Sequence, residues 1–294
     1  MEETIDQFVS FLRDIKHVSE NTAISYKRDL MKMSGYYAKQ GIHLPDKVTS
    51  TGMNTYILWL EKNGCAPSTI SRYIASMKSY FHFLLQMGRV NKDPTMLLKG
   101  PVQEKKNPNV LSVEKIDCLL RQPSGDGAKE IRDKAMLELL YATGMKVSEL
   151  INLKLEDVNL NLGYIICRDK NKERIVPFGL SAKESINRYL DKSREALLKG
   201  NESDVLFLNC SGKKMSRQGF WKIIKHYGEL AGIEEEITPQ ALRHSFAMHL
   251  VENGASLQAV QEMMGHSAVT TTQVYANMKK VKLSEEYVKA HPRG

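Results

Sequence analysis

Between Leu98 and Val110 the chain loses its apolar periodicity. Residues 99–109, KGPVQEKKNPN, hold two prolines, one glycine and three lysines. So few of these side chains suit a core that the segment reads as a linker. It divides the 294 residues into a part at 1–98 and a part at 110–294, each long enough to bury a core of its own. The first part carries only helical signals. Ile5, Phe8, Val9 and Leu12 fall at helical spacing within 3–17, Ser19-Glu20-Asn21-Thr22 opens a second helix, and Tyr26, Leu30, Met33 and Tyr37 continue its apolar stripe. A third helix is expected from Thr51 to Lys62, stopped by Asn63-Gly64, and a fourth from Pro67 to about Met87.

The second part is mixed. Helices are expected from Ser112, over 130–142 with a stop at Gly144, and over Ser148–Leu153. The one β signal is GYIICRDKNKERIVPF, residues 163–178, where two β-rich runs flank a charged turn and describe a hairpin. Helices are then expected at 181–198, 215–231, 239–253, 256–264 and 269–276, with an amphipathic tail at 280–290. The fold class is therefore mainly α, a helical bundle followed by a mostly helical domain with a small β-hairpin or sheet.

Hydrophobic residues at 42% and charged residues at 26% describe an ordinary soluble protein. No apolar run approaches the ~18 residues of a membrane span, and the acidic start MEETIDQFVSFLRDIKH has no signal-peptide character, so a cytoplasmic location is expected. Cys65, Cys118, Cys167 and Cys210 lie far apart without a CxxC pair, which argues against zinc or disulfides and for reduced, mostly buried thiols. The net charge of +8 suits a polyanion, nucleic acid first. Residues 1–106 carry 15 Lys/Arg against 10 Asp/Glu, so +5 of that charge, with +3 left for the remainder.

Chemistry concentrates near the C-terminus. Arg243-His244, Gly265-His266 and Tyr275 follow one another within 33 residues, in TPQALRHSFAMHLVENGASLQAVQEMMGHSAVTTTQVYANM. A guanidinium can hold two phosphate oxygens at once. A phenol with a free pKa of ~10 becomes a useful nucleophile when cations and donors surround the phosphate it attacks.

This segment, with RDKAMLELLYATGMKVSELINLKLEDV (132–158), NKERIVPFG (171–179) and MSRQGFWK (215–222), closely resembles the tyrosine site-specific recombinases of the lambda-integrase superfamily, in detail the Xer-type, XerD-like group. The resemblance covers essentially the whole chain. It implies a helical, SAM-like core-binding domain at 1–98, a linker at 99–109 and a catalytic domain at 110–294 with a subunit-docking tail, forming a C-shaped clamp on duplex DNA. It also implies that Tyr275 attacks the scissile phosphate, leaving a 3′-phosphotyrosyl link and a free 5′-hydroxyl, and that a partner strand's hydroxyl reverses the step. Bond energy is kept in the phosphotyrosine, so neither ATP nor a metal or other cofactor is expected. Arg243 would be the second clamp arginine, and His266 would bond a nonbridging oxygen. His244 is either a helper or a structural histidine.

Three positions depart from the family pattern. Lys146 in TGMKVSEL stands where the first clamp arginine is expected, and Gln240 stands where a histidine precedes Arg243 by three residues. The hairpin-turn lysine of the family, the general acid, sits in GKGNKER; here the turn reads RDKNKER. Ungapped, Asp169 takes its place. With a turn one residue shorter Lys170 does, the preferred reading, with Lys172 as second choice. Lysine keeps the charge of arginine without its bidentate fork, and glutamine donates a hydrogen bond but relays no proton.

Thr22, Lys27, Arg28, Ser68, Thr69, Arg72 and Lys78 lie at helix starts or on polar faces of the first part, positions suited to phosphate contact or to plain solvation. Lys213, Lys214, Ser216, Arg217, Gln218 and Lys222 suit a helix presented to the major groove; Phe220 and Trp221 beside them are expected in the core. The tail would dock on a neighbouring subunit, or pack back on its own domain. Expected partners are double-stranded DNA, a related recombinase in a homo- or hetero-tetramer on paired sites, and an accessory activator, with chromosome-dimer resolution or DNA integration as the cellular use. Two competing readings are a DNA-binding relative that pairs and bends sites with little or no cleavage, motivated by Lys146 and Gln240, and a metal-dependent nuclease or transposase, for which Glu149, Asp157 and Glu262 form no recognisable ligand set.

Overall fold

Side-chain caps start two helices of the first unit, and a proline starts a third. A computed structural model describes residues 1–101, 109–169, 172–265 and 290–292, and the chain divides into two units, Met1–Lys106 and Asn107–Gly294. In the first, α1 (Glu2–Asp14), α2 (Glu20–Ala38), α3 (Ser50–Lys62) and α4 (Pro67–Gln86) form a helical bundle. Ser19 Oγ accepts the Thr22 N–H at 3.2 Å to start α2, and Thr49 Oγ1 accepts the Gly52 N–H at 3.1 Å to start α3. Pro67 opens α4, where the missing N–H costs nothing. α1 ends before residue 17, because His17 turns to a φ of 47°, outside the helical region. The core is built from Ile5, Phe8, Leu12, Leu30, Met33, Tyr37, Met53, Tyr56, Leu60, Ile74, Met77 and Phe81, so the stripes read in the sequence face inward.

The second unit is built around α6 (Ala128–Thr143), whose residues from Ile131 to Thr143 are nearly all buried, as befits a helix surrounded by others. Around it lie α5 (Val113–Arg121), the short α7 (Val147–Leu150), α8 (Leu180–Tyr189), α9 (Glu195–Leu198), α10 (Arg217–Leu230), α11 (Pro239–Glu252) and α12 (Leu257–Met264). A π-helical stretch, Leu190–Arg194, joins α8 to α9. The expected hairpin forms from β2 (Tyr164–Asp169) and β3 (Lys172–Pro177), antiparallel, with Ile165 opposite Val176 and Cys167 opposite Arg174. A third strand, β1 (Val158–Asn159), pairs with β2. Two residues carry too little pattern to be read as a strand, and pairing supplies what the sequence lacks.

Gly144 closes α6 with a φ of 55°, and a Cβ there would lie 2.2 Å from Phe246 Cδ1, so both the backbone conformation and the close approach of α11 require glycine. The expected helix at 269–276 and most of the tail lie outside the described residues. Of the tail, Ala290 and His291 are buried, with the His291 ring 4.9 Å from that of Tyr141 and 5.7 Å from that of Phe246. The described end of the tail thus packs on α6 and α11 of its own unit. The four cysteines are free, but only Cys167 is buried; Cys118 and Cys210 are exposed and Cys65 is half-buried. The expectation of mostly buried thiols is corrected accordingly, since thiols tolerate surface positions when no pairing selects against them. Among the described residues no helix is long and apolar enough to cross a membrane.

His249 on α11 is buried, its Nδ1 2.9 Å from the Tyr141 hydroxyl, and burial holds its pKa below the ordinary imidazole value. The unfolded chain then binds a proton that the folded chain resists, so this residue's contribution is intact above the ordinary histidine pKa and is lost as pH falls toward the lowered folded value. Unfolding free energy measured by urea titration is expected to fall between pH 7 and pH 5 in the native chain, and less steeply in His249→Gln; equal slopes would remove His249 as the cause.

Candidate active site and nucleic-acid interface

Two helix ends meet at Arg243. The last carbonyls of a helix have no partner within it, and those of α6 and α12 point to one place because both helices close on a left-handed glycine, Gly144 at φ 55° and Gly265 at φ 64°. Arg243 Nη1 donates to the Gly144 carbonyl and Nη2 to the Met264 carbonyl. The guanidinium is buried. Burial first, then the neighbouring Arg174, lowers its pKa from the usual arginine range, while Glu149 opposes the shift. An arginine starts so far above neutrality that the charge is retained. Negative helix ends beside it make the burial tolerable.

Arg174 on β3 is the second cation here. It grips Glu149 of α7 in a bidentate pair, Nη1 to Oε1 and Nη2 to Oε2, each at 2.7 Å, and its Nε donates to the Met263 carbonyl at 2.7 Å. Glu149 Oε2 also accepts the backbone N–H of Lys146 at 2.7 Å. A Cβ on Gly265 would come within 2.9 Å of Arg174 Nη1, so the turn after α12 is fitted closely to this arginine. One connected network therefore ties the start of α7, strand β3, the end of α12 and, through Met264 and Gly144, α11 and α6.

Of the residues singled out from the sequence, the fold brings Lys146, Gln240, Arg243 and His244 into this neighbourhood. Lys146 is half-buried at the N-cap of α7, two residues past the carbonyl that Arg243 holds. Gln240 is exposed on the first turn of α11, three residues before Arg243, and His244 is half-buried. Thr238 caps this helix, its Oγ1 accepting the Ala241 N–H at 3.0 Å. His266, Tyr275 and Lys170 lie outside the described residues. Asp169 and Lys172 are register partners across the hairpin. Glu149 and Arg174 were not singled out as site residues. Their signal was present, since SEL and NKER belong to the phrases that carry the family resemblance, but nothing in one sequence joins positions 25 residues apart.

The positions assigned to nucleic acid divide by what they touch. In the first unit Lys27 pairs with Asp6 at 2.6 Å and Arg72 with Asp29 at 2.5 Å. The Thr22 and Ser19 hydroxyls are 2.7 Å apart. Arg28, Ser68 and Lys78 are exposed, and Thr69 is half-buried in the first turn of α4. In the second unit Ser216 caps α10 by accepting the Gly219 N–H at 2.9 Å, and Lys214 donates to Asn152 Oδ1 at 2.7 Å. Lys213, Arg217, Gln218 and Lys222 are exposed. Phe220 is in the core as expected. Trp221 is not: it is 43% exposed, with Lys225 Nζ 5.7 Å from its ring centre. One residue along a helix turns a side chain by about 100°, and Phe220, Ile224 and Tyr227 already fill the inward face.

Comparison with known proteins agrees with this architecture. Residues 109–281 match the phage integrase family, and residues 5–88 match the phage integrase N-terminal SAM-like domain. The chain belongs to the phage integrase family. Within it the chain is a XerD-like tyrosine recombinase: it is 43% identical over 294 residues to the tyrosine recombinase XerD of Staphylococcus haemolyticus, covering 100% of both, and 43% identical over 296 residues to that of Oceanobacillus iheyensis, covering 100% of this chain and 99% of the relative. Among solved structures it resembles the XerH site-specific recombinase bound to palindromic difH substrate (TM-score 0.73, 20% identity, 97% of this chain and 83% of that one). It also resembles a lambda integrase dimer bound to a COC′ core site (TM-score 0.70, 14% identity, 93% and 99%). At these identities the structures attest the fold.

Arg174→Met leaves the buried Glu149 carboxylate without its partner and is expected to lower stability by about 3–5 kcal/mol. Arg13→Met, which breaks the exposed, solvent-screened Arg13–Glu20 pair, is expected to cost far less. Urea unfolding of the two variants beside the native chain measures the difference, and equal losses would show that the Glu149 network does not hold the site together.

Proposed function

We propose that this recombinase cuts and rejoins duplex DNA through Tyr275, with residues 1–98 as the core-binding domain, 99–109 as linker and 110–294 as the catalytic domain. The observation that carries the reading is the buried Arg243 guanidinium at the end of α12. In the sequence His266 follows Gly265 directly and Tyr275 comes nine residues later, so the imidazole and the nucleophile come in chain order after the helix end that Arg243 holds.

Arg243 uses two of its N–H groups on carbonyl oxygens, and no further bond from it is made among the described residues. The remaining donors are those that would meet nonbridging phosphate oxygens and stabilise the charge that grows on the phosphorane. Lys146 adds a point charge in place of a fork, Lys170 protonates the departing 5′-oxygen, and Gln240 donates a hydrogen bond from the first turn of α11, with His244 supporting. Glu149 acts through the backbone of Lys146, which it anchors, and through Arg174. The likeness over the full chain to curated XerD recombinases supports cleavage over a role in pairing sites alone. Assembly of this chain on paired duplex sites, as a tetramer with copies of itself or of a related recombinase and with an activator, is what the family resemblance implies. Chromosome-dimer resolution or DNA integration in the cytoplasm is the cellular use that the resemblance implies.

A nicked half-site duplex incubated with the protein in EDTA is expected to give a covalent protein–DNA adduct on a denaturing gel, absent in Tyr275→Phe. Noncovalent complexes alone would favour the site-pairing reading, and cleavage that requires a divalent metal would point to a nuclease. Lys146→Arg restores a two-pronged donor and is expected to raise the single-turnover cleavage rate, by up to the ~10²–10³ that one preorganised donor contributes. An unchanged rate would take Lys146 out of the clamp.

A further inference from the structure

Asp29, on α2, has 0% exposure, yet its only ion-pair partner among the described residues is a side chain at the surface. Arg72, on α4, gives one nitrogen to both of its oxygens: Nη1 lies 2.5 Å from Oδ1 and 2.6 Å from Oδ2. The Arg72 side chain remains 39% exposed, with its Cζ 5.4 Å from the centre of the Tyr73 ring. Nε and Nη2 make no bond among the described residues. Guanidinium recognition of phosphate uses such an edge, two parallel N–H groups that face two oxygens.

Stability gives a poor account of this arrangement. A buried carboxylate bears a desolvation cost that an ion pair commonly fails to outweigh, and an apolar residue of similar volume serves a core equally well. Burial indeed raises the Asp29 pKa against the pull of Arg72 and Arg28. The charge is costly, and what it accomplishes is to hold a guanidinium at a fixed height and angle at the surface. Other cations and donors share the two helices. Arg28 precedes Asp29, and Lys32 one turn on has its Nζ 5.6 Å from the Trp59 ring centre and 5.5 Å from that of Tyr73. Ser68 lies four residues before Arg72, on the same face of α4. Arg28, Lys32 and Arg72 against Asp29 leave this ledge cationic.

We propose that Asp29 is a positioning residue for DNA binding, fixing the Arg72 guanidinium so that its Nε–Nη2 edge meets a backbone phosphate of the bound duplex. This deepens the function proposed above and rests on the reading of the first unit as a DNA-contacting domain.

Removing an acidic group from a DNA-facing surface ordinarily strengthens binding, by weakening repulsion of phosphate. A positioning role makes the opposite forecast. Full-length protein is titrated into a fluorescent mixed-sequence duplex of about 30 base pairs at several salt concentrations, because phosphate contact is independent of sequence. Arg72→Ala is expected to bind about tenfold more weakly and to lower the salt slope by about 1. Asp29→Asn is expected to bind about three- to tenfold more weakly despite losing a negative charge, with no further loss when combined with Arg72→Ala. Arg72→Lys, which keeps the charge and an ion pair to Asp29 but has no second edge, is expected to lose severalfold, and it guards against a folding defect in Asp29→Asn, which thermal melting checks. Equal or tighter binding by Asp29→Asn while Arg72→Ala is weakened overturns the positioning role alone, as does full binding by Arg72→Lys. Native affinity in Arg72→Ala overturns the DNA-contacting reading of this helix as well.

Discussion

The ends of α6 and α12 each leave carbonyl groups that no further helical turn can satisfy, and a single guanidinium, that of Arg243, lies between them. In the second unit that contact joins the ends of α6 and α12. It sets the distance between the central helix and the short helix that precedes His266, and it uses a charge where an apolar residue would leave two buried carbonyls unsatisfied. Glycines at both ends make it possible: Gly144 lets the chain turn sharply under Phe246, and Gly265 lets it turn beside Arg174. The residue proposed above to hold phosphate is thus also the one that holds the two helix ends together.

A second layer of charge keeps the first in place. Arg174 and Glu149 join a β-strand to the start of α7, and the same Glu149 oxygen that holds Arg174 Nη2 fixes the backbone at Lys146. Lys146 departs from the arginine expected at that position, but its backbone anchorage does not depend on which cation it carries, since the bond is made by a main-chain N–H. The substitution changes the donor while leaving the platform that presents it intact. The clamp proposed above would then be built from one fork and one point charge.

The two units use acidic residues in similar ways. In the first, a buried Asp29 carries Arg72 at the surface; in the second, a buried Glu149 carries Arg174. In each, a carboxylate beneath a guanidinium costs desolvation and fixes the direction of a cation. The tail adds a local feature of the second unit. Its described residues Ala290 and His291 are buried against Tyr141 and Phe246, so α6 and α11 offer a seat for the chain's own end.

Much of this was legible in the sequence. The four helices of the first unit, the β-hairpin and the starts of α5, α10 and α11 follow from local signals: capping serines and threonines, prolines at first turns, and apolar residues at helical or alternating spacing. Arg243, His266 and Tyr275 stand close together in one stretch, and Lys146 and Gln240 could be named because the phrases around them resemble a known family. What tertiary structure decided is of another kind. The strand Val158–Asn159 exists only through its pairing with β2, and Trp221 is outside because its neighbours already fill the inward face of α10. Arg174 meets Glu149 across 25 residues of chain, and Arg72 meets Asp29 across 43. Local sequence determines where backbone turns begin and end, because those depend on neighbours within a few residues. Which buried charge faces which cation depends on how helices and strands pack, and only the folded chain determines that.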